Sequence, residues 1–225
     1  MKQRASSPSN GASARRWARR LMARTQSVLA ANPQADCDNV RHTLILLEQP
    51  PLERLQKSLI RAATLPFAEN EIRLLTALLR ARVRFMVVGL SAATLQGAPV
   101  VTQDVDLWFE KLGDAKISRA LQTVGAAYVP PSILNPPMLA GAGAELFDIV
   151  LRMDGLETFA KELKNCIEIP LDGQKLKVLS LERILASKIA ANRAKDRLTI
   201  PVLRDALATS LAVKSRKIKN RPKKK

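Results

Sequence analysis

Asp104 and Asp106 stand one residue apart in QDVDLWFE, just before the apolar run Leu107, Trp108 and Phe109. In a strand, residues i and i+2 point to the same face. Both carboxylates therefore project together, and Val105 and Leu107 turn the other way, toward a core. Two neighbouring carboxylates repel unless a cation or a shared proton compensates. Mg2+ suits such a pair, because it takes oxygen ligands and commonly one or two carboxylates, with substrate phosphates completing its shell. Asp148, inside ELFDIVLR, is a third candidate, since Phe147 and Ile149 claim the core side of that strand. Three carboxylates from two strands offer a place for two ions, which would activate an attacking hydroxyl and steady a leaving pyrophosphate.

Gly89 supplies the phosphate side of the same chemistry. It follows the β-rich run RFMVV and precedes SAATLQG, which reads as a short helix starting at Ser91. A helix start leaves backbone N–H groups for an anion. Gly permits close approach of a phosphate, and the Ser91 hydroxyl is placed to donate to one. Strand–Gly–Ser–helix and Asp-x-Asp are each common alone. Their separation by fifteen residues, with strands on both sides, is what makes the combination informative.

The elements that must position these residues follow from periodicity. Helices are expected at NEIRLLTALLRAR, DAKISRALQTVG, LETFAKELKN, SLERILASKIAANRAKD (Ser180 as N-cap) and PVLRDALATSLAV. Strands are expected at RFMVVG, DVDLWFE, ELFDIVLR, CIEIPL and KLKVLS, the last two joined by a turn at Asp172-Gly173. Upstream, DCDNVRHTLILLEQ and PPLERLQKSLIRAA read as a helical hairpin over 36–63, with Leu52, Leu55, Leu59 and Ile60 on one face. The lone His42 falls in this hairpin and has no partner that would make it a ligand or a base.

The chain has 225 residues and a net charge of +17. Residues 1–24 hold seven Lys/Arg and residues 214–225 hold eight, with no acid in either stretch. Between them the balance is nearly neutral, with 22 basic and 20 acidic side chains. Residues 1–35 and 214–225 are therefore expected to be mostly disordered basic tails, although ARRWARRLMARTQSVLAAN also has an imperfect helical stripe. Such tails either keep the protein soluble or attract RNA or DNA phosphates in a salt-sensitive way. No apolar run approaches the roughly 20 residues of a membrane span. Cys37 and Cys166 have no metal-type spacing and suggest free thiols in a reducing cytoplasm.

The stretch GLSAATLQGAPVVTQDVDLWFE resembles the signature of the nucleotidyltransferase fold, the DNA polymerase β-like superfamily. More narrowly it is similar to small prokaryotic nucleotidyltransferases, some of them toxin–antitoxin or phage-defence (abortive-infection) components. Their pattern has a glycine-led turn, a His-Gly or Gln-Gly, Thr-x-Asp-x-Asp-Leu, a later strand aspartate, and a helix with Lys followed by Arg and Lys-Asp. Here those positions are Gly89, Gly97, Thr102, Asp104, Asp106, Asp148, Lys188, Arg193, Lys195 and Asp196. The likeness covers about Phe85 to Leu207. It implies an α+β fold, a mixed β-sheet flanked by helices, over residues 64–213, carrying the helical extension and the basic ends. It implies that Asp104, Asp106 and Asp148 are catalytic and bind Mg2+, with Mn2+ as an alternative. It also implies that Gly89, Ser91 and Lys188 bind the nucleotide, Lys188 reaching a phosphate as a point charge on a flexible stem. An ordinary basic helix face, with Asp196 pairing Arg193 or Lys195, is the other reading of ASKIAANRAKD. Two positions depart from the pattern: Leu90 stands where Gly or Ser is usual, and Val100 and Val101 stand where an Arg usually precedes the Thr.

The resulting expectation is a metal-dependent transfer of a nucleoside monophosphate from an NTP to a hydroxyl on tRNA-like RNA or on protein. The alternative is a non-catalytic binding module, docking a protein partner through the 36–63 hairpin or RNA through the basic ends.

Overall fold

The computed structural model describes residues 9–59, 69–133, 135–141 and 143–219. Nine helices and seven strands occur among them. Five strands form one sheet: β1 (Phe85–Val87), β2 (Val105–Phe109), β5 (Phe147–Val150), β6 (Cys166–Leu171) and β7 (Gln174–Leu179). Their order is β5-β2-β1-β7-β6. β1 runs antiparallel to β2 and parallel to β7, β2 runs parallel to β5, and β6 and β7 form an antiparallel hairpin. The sheet is therefore mixed, and helices flank it, as expected for an α+β chain.

Apolar alternation fixes which way β2 faces. Val105 and Leu107 are fully buried, so Asp104 and Asp106 are turned to the opposite side. α4 (Glu69–Arg80) and α6 (Ala115–Gln122) pack on each other, and α5 (Gly89–Leu95) packs on β2 and on α8 (Leu181–Ala191). The main core runs through Leu74, Leu75, Leu78, Met86, Leu107, Ile117, Leu176 and Ile184. Near one end of the sheet, α7 (Phe159–Glu162) is locked by a buried ion pair: Arg183 donates to Glu162 through Nε at 2.9 Å and Nη2 at 2.5 Å. That guanidinium holds the Glu162 carboxyl at about 2, against the opposing effect of burial and with help from Asn165 and the Glu157 N–H.

Several expectations need correction. Residues 9–31, expected to be mostly tail although 14–32 carry an imperfect helical stripe, form helix α1 (Ser9–Ala31). Leu21 and Val28 give it a reason to order: they are buried with Val40 and Leu44 of α2 (Cys37–Leu46) in a second, smaller cluster. The last helix, α9 (Ala194–Lys219), begins before Pro201 and continues past Val213 into the basic end. Pro201 is carried inside it, at the cost of one backbone N–H bond. A two-stranded sheet of β3 (Ala126–Val129) and β4 (Met138–Gly141) lies in a proline-rich stretch that offers no strand pattern.

The 36–63 hairpin is two helices, α2 and α3 (Pro51–Ser58); Ile60 and its neighbours to 63 lie outside the described residues. Its apolar face is covered by the chain itself. Leu55 belongs to the main core, with Leu52 and Leu59 against it, and α3 packs on α5. His42 is exposed. No helix among the described residues is long and apolar enough to cross a membrane.

Candidate active site

Asp104, Asp106 and Asp148 come together at the β2–β5 edge of the sheet, with Asp106 directly opposite Asp148 in the parallel register. Asp106 is the most constrained. Burial raises its carboxyl first, Asp104 and then Asp148 add to the effect, and Lys188 and Lys195 pull back, leaving it at about 7. Asp148 is exposed on the outer strand, yet partial burial and the neighbouring Asp104 carboxyl raise it too. Excess negative charge is thus concentrated where Asp106 leaves the sheet.

The turn after β1 is built around Asp106. Gly89 has φ +64, and a Cβ there would lie 1.8 Å from Asp106 Oδ2. The glycine is needed because the carboxylate packs on its Cα, a contact that sequence reading assigns to a phosphate. Ser91 also serves the turn. Its hydroxyl donates to Val88 O at 2.9 Å and accepts from the Asp106 N–H at 3.3 Å. Fully buried, it stitches α5 to β2 and is not free to donate to a phosphate. Thr102 shapes the approach to β2, donating to Asp104 O at 3.0 Å.

Gly89, Leu90, Thr102, Asp104 and Asp106 line a cavity of about 310 Å3. Arg152, Asp154, Lys188, Arg193, Lys195 and Asp196 line it as well, from the end of β5, α8 and the start of α9. Asp196, fully buried, takes Lys188 Nζ at 2.7 Å and Arg193 Nε at 2.6 Å. Burial alone would push the Asp196 carboxyl up, but the hydrogen bonds from Arg193 and Lys188 hold it below the ordinary range. The ordinary reading of the helix is met in part: Asp196 pairs Arg193, and Lys188 in place of Lys195, and this cluster lies in the wall of the cavity. The sequence pattern does not single out Arg152 or Asp154; their place just past the strand that bears Asp148 is the signal that would have found them. A larger cavity of about 810 Å3 lies between α4 and α6, lined by Arg73, Arg80, Lys116 and Arg119, and takes in none of the expected site residues.

Among the described residues, no group of three or more His, Cys, Asp or Glu is arranged to hold a metal ion. The three aspartates therefore do not form a complete protein cage. They do fit an ion of the Mg2+ type, which needs only one or two carboxylates when phosphates fill the remaining positions. The unbalanced charge at Asp106 is what such an ion would neutralise.

Solved nucleotidyltransferases resemble this chain. A crystal structure of ANT(2″)-Ia in complex with adenylyl-2″-tobramycin is 15% identical, over 64% of this chain and 95% of that one, with a TM-score of 0.40. A solution structure of the antibiotic-resistance factor ANT(2″)-Ia is 16% identical, over 65% and 90%, with a TM-score of 0.41. An antigenic nucleotidyltransferase-like protein from Paracoccidioides brasiliensis is 15% identical, over 68% and 90%, with a TM-score of 0.39. At such scores the likeness decides neither substrate nor mechanism. No protein-family model and no curated protein matches the chain.

Proposed function

We propose that the chain is a divalent-metal-dependent nucleotidyltransferase, moving a nucleoside monophosphate from an NTP to an acceptor hydroxyl. The observation that carries this is the meeting, in one cavity, of Asp104 and Asp106 with Arg152, Lys188, Arg193 and Lys195. Asp104 and Asp106 lie at the start of β2, and the four cations come from the end of β5, α8 and α9, with Asp154 and Asp196 among them; this arrangement suits a magnesium triphosphate. Asp104 and Asp106 would hold Mg2+, with Asp148 beside them; when bound, the ion supplies charge neutralisation at the reacting phosphate. The cationic wall takes the remaining phosphate charge and the pyrophosphate that leaves. Gly89 and Leu90 bound the phosphate side, and Ser91 acts one step back by fixing the Asp106 backbone. The acceptor oxygen forms the new bond to the α-phosphorus, and its proton passes to Asp148, whose raised carboxyl is accessible on the outer strand. Positioning and electrostatics, rather than covalent catalysis, carry most of such a rate enhancement.

Label transfer tests this reading. Full-length protein is incubated with each α-labelled NTP, Mg2+ or Mn2+, and total RNA or cell protein. Label is expected to move to one acceptor class, and to fall by at least about a hundredfold in Asp104→Asn/Asp106→Asn, as loss of a dominant electrostatic contact does. Absence of transfer with all nucleotides and both metals would leave the non-catalytic module, with Leu90 in the cavity as its structural mark.

A further inference from the structure

The described helices α1 and α9, which carry part of the two basic stretches, pack together in the fold. α1 packs on α2, and both pack on α9, so that Ala212 and Val213 near the end of the chain join Leu21, Val28, Val40 and Leu44. Arg216 of α9 donates to the Ser27 hydroxyl of α1. Among the described residues, basic side chains of α1 and of the end of α9 thus belong to one three-helix assembly, the α1–α9 pole.

The pole is built for an anion rather than merely basic. With Leu21, Thr25 and Val28 buried, the helical period turns Arg16, Arg19 and Arg20 outward, and all three are exposed. Lys214 and Arg216 are exposed on α9, which packs on α1. α1 contains no acid, and α9 contains none after Asp205. The acids of α2 and of the turn after it are already taken: Asp38 pairs Arg41 at 3.0 Å, and Glu48 accepts from Arg24 at 2.7 Å and from the Trp17 indole at 3.0 Å. Arg16, Arg19, Arg20 and Lys214 pair with no carboxylate among the described residues. Leu21 and Val28 of α1 are buried in the three-helix cluster, and the large apolar side chains it leaves exposed, Trp17 and Met22, are too few to enter a bilayer as an apolar face. Trp17 keeps part of its ring exposed at 39%, which suits stacking on a base.

We infer that the α1–α9 pole is an RNA-docking surface, and that α9 sets the distance between the docked backbone and the reacting hydroxyl. This rests on the transferase reading only for the second clause. α9 links the two places: Lys195, Asp196 and Thr199 line the cavity at one end, and Lys214 and Arg216 lie at the pole near the other. Twenty residues at 1.5 Å each put Asp196 and Arg216 roughly 30 Å apart. A strand rising 3.4 Å per nucleotide needs about nine stacked nucleotides to cover that span. Stacked acceptors shorter than this do not reach both.

Anisotropy of fluorescein-labelled RNA tests docking apart from chemistry. Full-length protein is titrated in chelator, with an RNA of about 20 nucleotides and one of about four. Arg16→Gln/Arg19→Gln/Arg20→Gln is compared with Arg73→Gln/Lys116→Gln/Arg119→Gln from the α4–α6 groove, a variant of equal net charge. The pole variant is expected to lose about tenfold or more in affinity for the long RNA and to flatten the salt slope by about two, the value for three lost single-strand phosphate contacts. The groove variant is expected to stay within about threefold. Equal losses in both variants, or none in the pole variant, would overturn the proposal, as would tighter binding to phosphatidylserine vesicles than to RNA. Melting curves check folding; the arginines are exposed, so both variants should melt with wild type. Binding without label transfer would count against the transferase and not against the pole.

Discussion

Asp106 is held in a state that a bare carboxylate does not favour. Its folded value, about 7, lies above the ordinary value of an unfolded aspartate. The penalty for ionising it in the fold is absent at low pH and develops as pH rises from the unfolded value through about 7. Asp106→Asn removes that penalty. In chelator at pH 8 the variant should melt higher than wild type by roughly 5 °C, the scale of 1–2 kcal/mol in a chain of this size. At pH 5 the difference should be small, and added Mg2+ should raise wild type more than the variant at pH 8. A difference independent of pH and metal would show that Asp106 does not carry the unbalanced charge. The pairing of Asp104 with Asp106 was legible because strand alternation needs no long-range knowledge. The true partners of Gly89 and Ser91 were not, since both depend on how closely the turn after β1 approaches a strand fifteen residues away. Sequence names the glycine but not the atom that excludes its side chain.

Among the elements, α7 and α8 are joined by an ion pair whose carboxylate is nearly inaccessible, with 1% of the Glu162 side chain exposed. Glu162→Gln leaves Arg183 facing a neutral amide in a buried place. Breaking a buried pair from one side typically costs about 3–5 kcal/mol, against near neutrality when both partners are replaced by apolar groups. Urea unfolding should show a loss of that order for Glu162→Gln and a much smaller one for Glu162→Leu/Arg183→Met. Because the folded value is depressed to about 2, the stabilisation is complete above the unfolded Glu range and is lost as pH falls toward about 2. The single variant should therefore differ from wild type at pH 7 and converge on it near pH 2. Local pattern also decided which elements could be read. The β6–β7 hairpin announces itself by a turn at Asp172-Gly173, where both residues have positive φ. β3 and β4 are short and separated by prolines, and what holds them is the pairing of Ala126 with Gly141 and Val129 with Met138, a contact no local window contains.

At the scale of the whole molecule, α9 joins two cores. Leu203 and Ala206 belong to the main one, and Ala212 and Val213 pack on the smaller one. Asp205 lies between them and is nearly buried. Its Oδ2 accepts the Asp36 N–H at 3.2 Å and the Asn39 side-chain amide at 2.8 Å, tying the start of α2 to α9. Asp36 in turn caps α2 by accepting from the Asn39 N–H at 2.9 Å. Asp205→Ala would leave the Asn39 amide and the Asp36 N–H without this acceptor, at a cost of about 1–3 kcal/mol. That cost falls on the contact between the cores and not on the sheet. Hydrogen exchange should therefore accelerate by about tenfold or more in α1 and α2, while β1, β2 and β7 keep wild-type protection. If the sheet loosened equally, the two clusters would be one cooperative unit. If α1 alone opened, the pole would lose its shape with the cavity intact, and long RNA should bind more weakly while the site still accepts nucleotide.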